Sequence, residues 1–372
     1  MRYVNLILLA VLLAACRGGR TSSADAAGDS VTFKYATQLS VVRYDGYTVA
    51  SLKNPWKEGM TLHRYVLVPS DRNLPPHLPD GTIIRTPVKK AVMFTTVHCA
   101  MLMEFGKEDC ISGVADLKYI KIPWIQQQVK EGCISDVGDG MSPVIEKIID
   151  QRPDVLFLSP FENSGGYGKL EEIDIPIVEC AEYMEPSPLA RAEWIRFYGM
   201  LFGCEQRADS LFNVTDNNYQ SLKAAVQKVK NSPSVLLDKI TGSVWYIPGG
   251  KSTIGQMVRD AGGISPWNTD THSGSVSLPF EAVLEKGGEA DVWLFRYSSD
   301  HDITYQELLE DHHGYSQFKA WRNHEAYGCN VELGLFYEET PFHPDWLLND
   351  FISILHPEIE GLNPPRYFKR LP

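Results

Sequence analysis

The chain has 372 residues, enough for two domains with real cores. Hydrophobic residues make up 44% and charged residues 22%, which excludes a wholly disordered chain and a multi-span membrane protein. The formal net charge of -12 argues against a nucleic-acid partner and against broad attraction to anionic lipid.

The first residues read as a targeting segment. Arg2 precedes an apolar run from Val4 to Ala15, broken by Asn5, too short to span a bilayer comfortably but suited to a signal-peptide core. It ends Leu13-Ala14-Ala15-Cys16, small residues before a cysteine, which resembles a bacterial lipobox with Cys16 as the lipidated first residue of the mature protein. The following Arg17-Gly18-Gly19-Arg20-Thr21-Ser22-Ser23-Ala24 suits a flexible tether. The expected layout is a signal peptide over 1–15, a tether over 16–30, and an exported protein held to a membrane by lipid alone, with the membrane and face left open.

Residues 31–86 predict an antiparallel β extension. Val31 to Ala36, Leu39 to Tyr44, Tyr47 to Ala50 and Tyr65 to Val68 carry strand-forming residues, with Asp45-Gly46 as a hairpin turn and a proline-rich loop from Pro69 to Pro79. From Val88 the pattern becomes α/β. Buried strands at Ala91–Phe94, Ile111–Ala115, Val155–Leu158 and Ile175–Glu179 alternate with helices, which implies a parallel sheet. Ser187-Pro188 starts a helix that Gly203 ends. A second helical stretch from about residue 205 to 230 would run roughly 39 Å, long enough to join two lobes stiffly. The pattern restarts at Ser234 to Leu237, passes a hairpin to Val244–Ile247, and closes with helices from Ser252, Tyr305 and Pro344. The predicted fold is two doubly wound α/β lobes joined by one long rigid helix: 31–200, a connector over 201–232, and 233–372.

Two segments echo each other across the proposed lobes. Ser142-Pro143-Val144-Ile145-Glu146 leads through a short amphipathic helix to Pro153-Asp154-Val155-Leu156-Phe157-Leu158. Ser277-Leu278-Pro279-Phe280-Glu281 leads likewise to Ala290-Asp291-Val292-Trp293-Leu294-Phe295. Each places a glutamate four residues after a serine, near a helix start, and an aspartate just before a buried strand.

Six cysteines follow Cys16: Cys99, Cys110, Cys133, Cys180, Cys204 and Cys329. Their spacing matches no zinc pattern. Cys110 with Cys133, and Cys180 with Cys204, are plausible disulfide pairs in an oxidising compartment. Catalytic signatures fail on inspection. Gly250-Lys251-Ser252-Thr253 lacks the earlier glycine of a phosphate loop, since position 245 is Trp245. His324-Glu325 meets Gly328 where a zinc protease needs its second histidine. Ser164 lacks the preceding glycine of a nucleophile elbow. Nothing in the sequence supports an enzyme.

Lipobox, two α/β lobes, a long connecting helix and paired glutamates together resemble the periplasmic substrate-binding proteins of ABC importers for ferric siderophores, haem and vitamin B12. The resemblance covers roughly residues 88–358. It rests on Glu146 to Val155, Trp194 to Gly203, Ser252 to Gly263, Glu281 to Val292 and the closing Leu355-His356-Pro357-Glu358. It implies a non-enzymatic, monomeric protein with no intrinsic cofactor, whose partners are a permease and its ATPase. Glu146 and Glu281 would dock into permease arginines, as first-turn glutamates favoured by the helix dipole. Ligand would lie between the lobes at the C-terminal strand ends. Those loops hold Thr95, Thr96, His98, Tyr119, Trp124, Tyr167 and Tyr183 in the first lobe, and Trp245, Tyr246, Trp267, Arg296, Tyr297 and His301 in the second. Aromatics suit large chelates, and Arg296 suits an anionic group. His98 and Tyr119 are the candidate haem ligands. A free metal-ion receptor of the same architecture, an exported hydrolase or chelate-modifying enzyme, and a scaffold lipoprotein are the rival readings. The β extension fits a lid, a partner surface or a simple sheet extension equally well.

Overall fold

A computed structural model describes residues 28–162 and 166–372. The signal peptide, Cys16 and Ser164 lie outside the described residues. Two parallel sheets form the body. The first has strand order Ile177–Glu179, Val155–Leu158, Ala91–Met93, Ile111–Val114 and Ser135–Asp136, all parallel. The second runs Val235–Leu237, Val292–Tyr297 and Ala326–Asn330 in parallel, with Lys369–Arg370 added antiparallel at its edge. Strands Ala91–Met93, Val155–Leu158 and Val235–Leu237 read as unbroken, fully buried apolar runs, as expected where both faces of a parallel sheet are covered.

The echo segments occupy equivalent places in these sheets. Val144 and Pro279 are the N-caps of helices Ile145–Gln151 and Phe280–Gly287, so Glu146 and Glu281 both sit at the second helical position. Asp154 then accepts the backbone N–H groups of Lys89 and Lys90 at 2.8 and 3.0 Å. Asp291 accepts the N–H and hydroxyl of Ser234 at 2.8 and 2.7 Å. Lys90 and Ser234 each immediately precede the first strand of their sheet, so each aspartate pins that strand beside its own. The repetition seen in the sequence is therefore a repeated strand-edge clamp.

The long helix spans Glu205–Val226, shorter at its C-terminal end than the sequence suggests. Gly203 in the left-handed conformation ends the preceding helix and reverses the chain into it. Ala208, Phe212, Thr215, Tyr219 and Val226 keep one face buried, at helical spacing. Ala208 and Phe212 belong to the core of the first sheet, whereas Tyr219 and Val226 belong to that of the second. The helix thus bridges two cores. A second link comes from the segment around Phe336–Glu339, which packs on helix Thr96–Phe105, and from Phe342, which is buried in the first core.

The β extension is neither separate nor lid-like. Its strands Asp29–Val31, Leu39–Tyr44, Tyr47–Lys53 and Thr61–Pro69 pair antiparallel in chain order, and Thr82–Thr86 joins in parallel. Leu39, Val41, Leu52, Tyr65 and Leu67 pack into the first core beside Trp194 and Phe197. The run expected as a strand from Val31 to Ala36 leaves the sheet because two buried carboxylates capture its backbone. Glu193 accepts the N–H groups of Lys34, Tyr35 and Ala36 at 2.7 to 2.8 Å. Glu185 accepts those of Thr37 and Gln38 and the indole N–H of Trp194. Lys34 and Tyr35 then reach Asp216 on the bridging helix at 2.6 and 2.7 Å. The expected disulfides do not form: the six described cysteines are free thiols, and Cys110 instead approaches the carbonyl of Val88.

Candidate ligand-binding site

The first sheet carries a cavity of about 750 Å³ at the C-terminal ends of its strands. That is within the usual range for small-molecule sites, and the position is where open α/β sheets bind ligands. Phe94 and Thr95 directly follow strand Ala91–Met93, Asp116 follows Ile111–Val114, and Leu158, Ser159 and Phe161 end or follow Val155–Leu158. Met141, Ile145, Tyr167, Leu170 and Ile173 complete the apolar wall, and Glu146, Lys169 and Glu172 supply further charge. A smaller cavity of about 280 Å³ near the C-terminal tail is lined by charges already paired with each other, Arg366 with Glu339 and Lys369 with Asp302. The larger, aromatic-walled cavity is the candidate site.

Two backbone features shape it. Asp116 adopts the left-handed conformation with φ 52°, which turns the chain sharply at the strand end. Gly140 lies against its side chain, where a Cβ would fall 2.5 Å from Asp116 Oδ2, so a side chain at position 140 would displace the carboxylate. Tyr167 is fixed from behind, its hydroxyl donating to Glu179 at 3.0 Å. Burial raises the Glu179 carboxyl above its usual range, and the Tyr167 hydrogen bond opposes that rise.

Among the ligand-binding side chains named from sequence, Tyr167 lines this cavity. Thr95 also lines it, while Thr96 donates to Glu338 at 2.9 Å across the lobe contact. His98 is a correction: it is fully buried among Phe157, Tyr198 and Phe342, with Nδ1 on the Thr95 hydroxyl and Nε2 at 3.8 Å from Glu182. Burial lowers the His98 pKa, so the ring there is a neutral core group rather than a cleft ligand. Trp245 and Trp267 are further corrections, since both are buried in the aromatic core of the second sheet. Trp245 points inward because strand residues alternate, which leaves its neighbour Tyr246 exposed. Tyr297 belongs to the same core, with its hydroxyl turned to Asp302 and to the N–H of Ile303.

The remaining residues lie apart from the cavity. Tyr119 is exposed under the Lys118 ammonium, and Trp124 packs against the first core. Tyr183 hydrogen-bonds the carbonyl of Pro160, one residue before Phe161 of the wall. Arg296 is held by both Asp238 oxygens at 2.7 and 2.8 Å, so its charge is already matched. His301 is exposed between Asp300 and Glu307; Glu307 first and Asp300 second raise its pKa. Glu146 and Glu281 are exposed, and among the described residues neither makes an ion pair or side-chain hydrogen bond. Glu146 additionally stands in the cavity wall. Sequence reading missed Phe94, Asp116, Met141, Phe161 and Glu172. The signal for Phe94 and Asp116 was available, because Phe94 directly follows one buried strand and Asp116 lies two residues past the end of another.

Two parallel sheets, a helix shared between their cores and a cavity at the strand ends define a two-lobed α/β binding protein. Residues 100–332 match the periplasmic binding protein family, and the chain belongs to that family. It is 26% identical over 349 residues to an uncharacterized lipoprotein, MJ0878, of Methanocaldococcus jannaschii, covering 87% of this chain and 82% of the relative. It is 27% identical over 209 residues to the petrobactin-binding protein YclQ of Bacillus subtilis, covering 54% and 62%. A periplasmic haem-binding protein of Pseudomonas aeruginosa superposes with a TM-score of 0.59 at 18% identity, over 77% of this chain and 98% of that one, which establishes the shared fold. Members of the family are substrate-binding proteins rather than enzymes.

Proposed function

We propose that the chain is the substrate-binding component of an ABC importer, capturing a metal chelate or corrinoid and delivering it to a membrane permease and its ATPase. The observation that carries this reading is the aromatic-walled cavity at the strand ends of a periplasmic binding protein. The names of similar proteins, petrobactin-binding and haem-binding, support an iron chelate as the cargo. The lipoprotein name of the relative supports Cys16 as a lipid anchor and an exported location. No helix among the described residues is long and apolar enough to cross a membrane.

A chelate fits better than a bare ion. Asp116, Glu146 and Glu172 do not converge into a metal-ligand set; among the described residues the only such group is His98, Cys180 and Glu182, which is buried behind the wall residue Thr95 and does not itself line the cavity. Glu146 and Glu281 remain the candidate permease contacts, at matched helix positions on the two lobes. Isothermal titration calorimetry against haemin, cobalamin and ferric siderophores tests the ligand class; saturable binding of one class supports the reading, and silence toward all of them refutes it. Glu281→Lys tests docking without touching the cavity. It should abolish uptake in cells while ligand affinity stays within about twofold; undiminished uptake would remove Glu281 from the docking surface.

A further inference from the structure

The cavity has a charge of its own, and it has the opposite sign from what a polyanionic chelate requires. Its wall carries three carboxylates, Asp116, Glu146 and Glu172, against one ammonium, Lys169. None of the three carboxylates has an ion-pair partner among the described residues. The cations at the lobe contact cannot correct the balance. Lys121 is paired with Glu332, and Arg296 is held in both arms by Asp238. The placement of Asp116 is built into the backbone, through its left-handed conformation and the bare Gly140 beside it.

From this balance we infer that the cavity selects a cationic or neutral chelate with an apolar body, and discriminates against anionic ones such as triscatecholates or the carboxylates of haem. The inference rests on the chelate-binding reading above and sharpens it. Phe94, Phe161 and Tyr167 would contact the apolar shell of the complex, and aromatic side chains of this kind can also attract a ligand cation. Asp116 and Glu172 would sit opposite its positive charge. Like-charge juxtaposition in a half-enclosed cavity penalises the wrong ligand more than opposite charge rewards the right one.

The test is a set of ligands that differ in charge and little else. Ferrioxamine B carries a free ammonium; its N-acetyl derivative is neutral, and its N-succinyl derivative ends in a carboxylate. Each is titrated into the purified protein at low and at high salt, with circular dichroism to establish folding of every variant. Affinity should fall from cation to neutral to anion by about fivefold per unit of charge at low salt, with the steps narrowing as salt screens them. The Asp116→Asn/Glu172→Gln double variant should flatten the series, and Lys169→Glu should steepen it. An anionic member that binds as tightly as the cationic one overturns the charge rule while leaving the chelate reading standing. A series that keeps its full slope in the double variant also overturns it, by removing these carboxylates from the recognition. Should no member of the series bind, haemin, aquacobalamin and ferric enterobactin decide the matter. Binding of haemin or enterobactin overturns the charge rule alone; binding of aquacobalamin alone supports it; binding of none overturns both readings.

Discussion

The two lobes repeat one local design and then use their aromatic residues in opposite ways. In each, a second-position glutamate opens a short helix and an aspartate clamps the start of the first strand of the sheet. In the first lobe, at the opposite, C-terminal ends of the clamped strands, Phe94, Phe161 and Tyr167 stand about an open cavity. Around the second lobe's clamp, Trp245, Trp293, Tyr315 and Phe318 close into a solid cluster, with ring centroids 4.9 to 5.9 Å apart between Trp293 and its three partners. Helix Phe280–Gly287 contributes to the filling, since Phe280 lies on Trp245, Tyr315 and Phe318. A shared clamp at the strand starts therefore fixes strand pairing without fixing whether a lobe's aromatic residues fill a core or line a cavity.

The largest test of this contrast exchanges size for space in each lobe. Trp293 is fully buried and donates its indole N–H to the carbonyl of Asp238 at 2.7 Å. Trp293→Ala should cost about 3–5 kcal/mol in urea unfolding, the range for removing a large buried aromatic. Phe161 is 47% exposed, and Phe161→Ala should change stability by no more than about 0.5 kcal/mol. The same change should weaken ligand binding about tenfold, or roughly 1.4 kcal/mol. If Phe161→Ala destabilises the protein as much as Trp293→Ala does, the first lobe's aromatics are core and the cavity loses its claim.

Much of the fold was legible because it follows from periodicity and punctuation. Unbroken apolar runs announced the parallel strands, Gly203 announced the turn into the long helix, and Thr304 with Glu307 forms the capping box where a helix was expected at Tyr305. The clamp was visible as an echo, although its partner residues Lys90 and Ser234 could not be named without tertiary structure. The site was far less legible. Aromatic residue type does not distinguish a cavity wall from a core, and Trp245 and Trp267 were drawn into the site for that reason. The escape of Lys34 to Gln38 from the β extension was equally hidden. It depends on Glu185 and Glu193, about 150 residues away, accepting backbone N–H groups that a strand would otherwise use.

A smaller effect separates the two clamps themselves. Asp291 has a cation that Asp154 does not display: Lys319 reaches its second oxygen at 2.6 Å, while Ser234 donates twice to the first. Partial burial pushes the Asp291 carboxyl upward, but the Lys319 and Ser234 hydrogen bonds outweigh it and hold the pKa at about 2, below the ordinary 3.8. A carboxyl depressed on folding stabilises the native state fully above its unfolded pKa and loses that contribution as pH falls through the folded one. The stability gap between the native protein and Asp291→Asn should therefore be constant from neutral pH down to about 5, then shrink between pH 4 and 2. Because the pair is partly exposed, the gap should also narrow in high salt. Urea unfolding across that pH range at two salt concentrations measures both dependences. A gap that ignores both pH and salt would mean that the Asp291 side chain acts through geometry alone. The second clamp would then hold its strand by hydrogen bonds to Ser234, as the first holds Lys89 and Lys90, with the lysine contributing nothing to the difference between lobes.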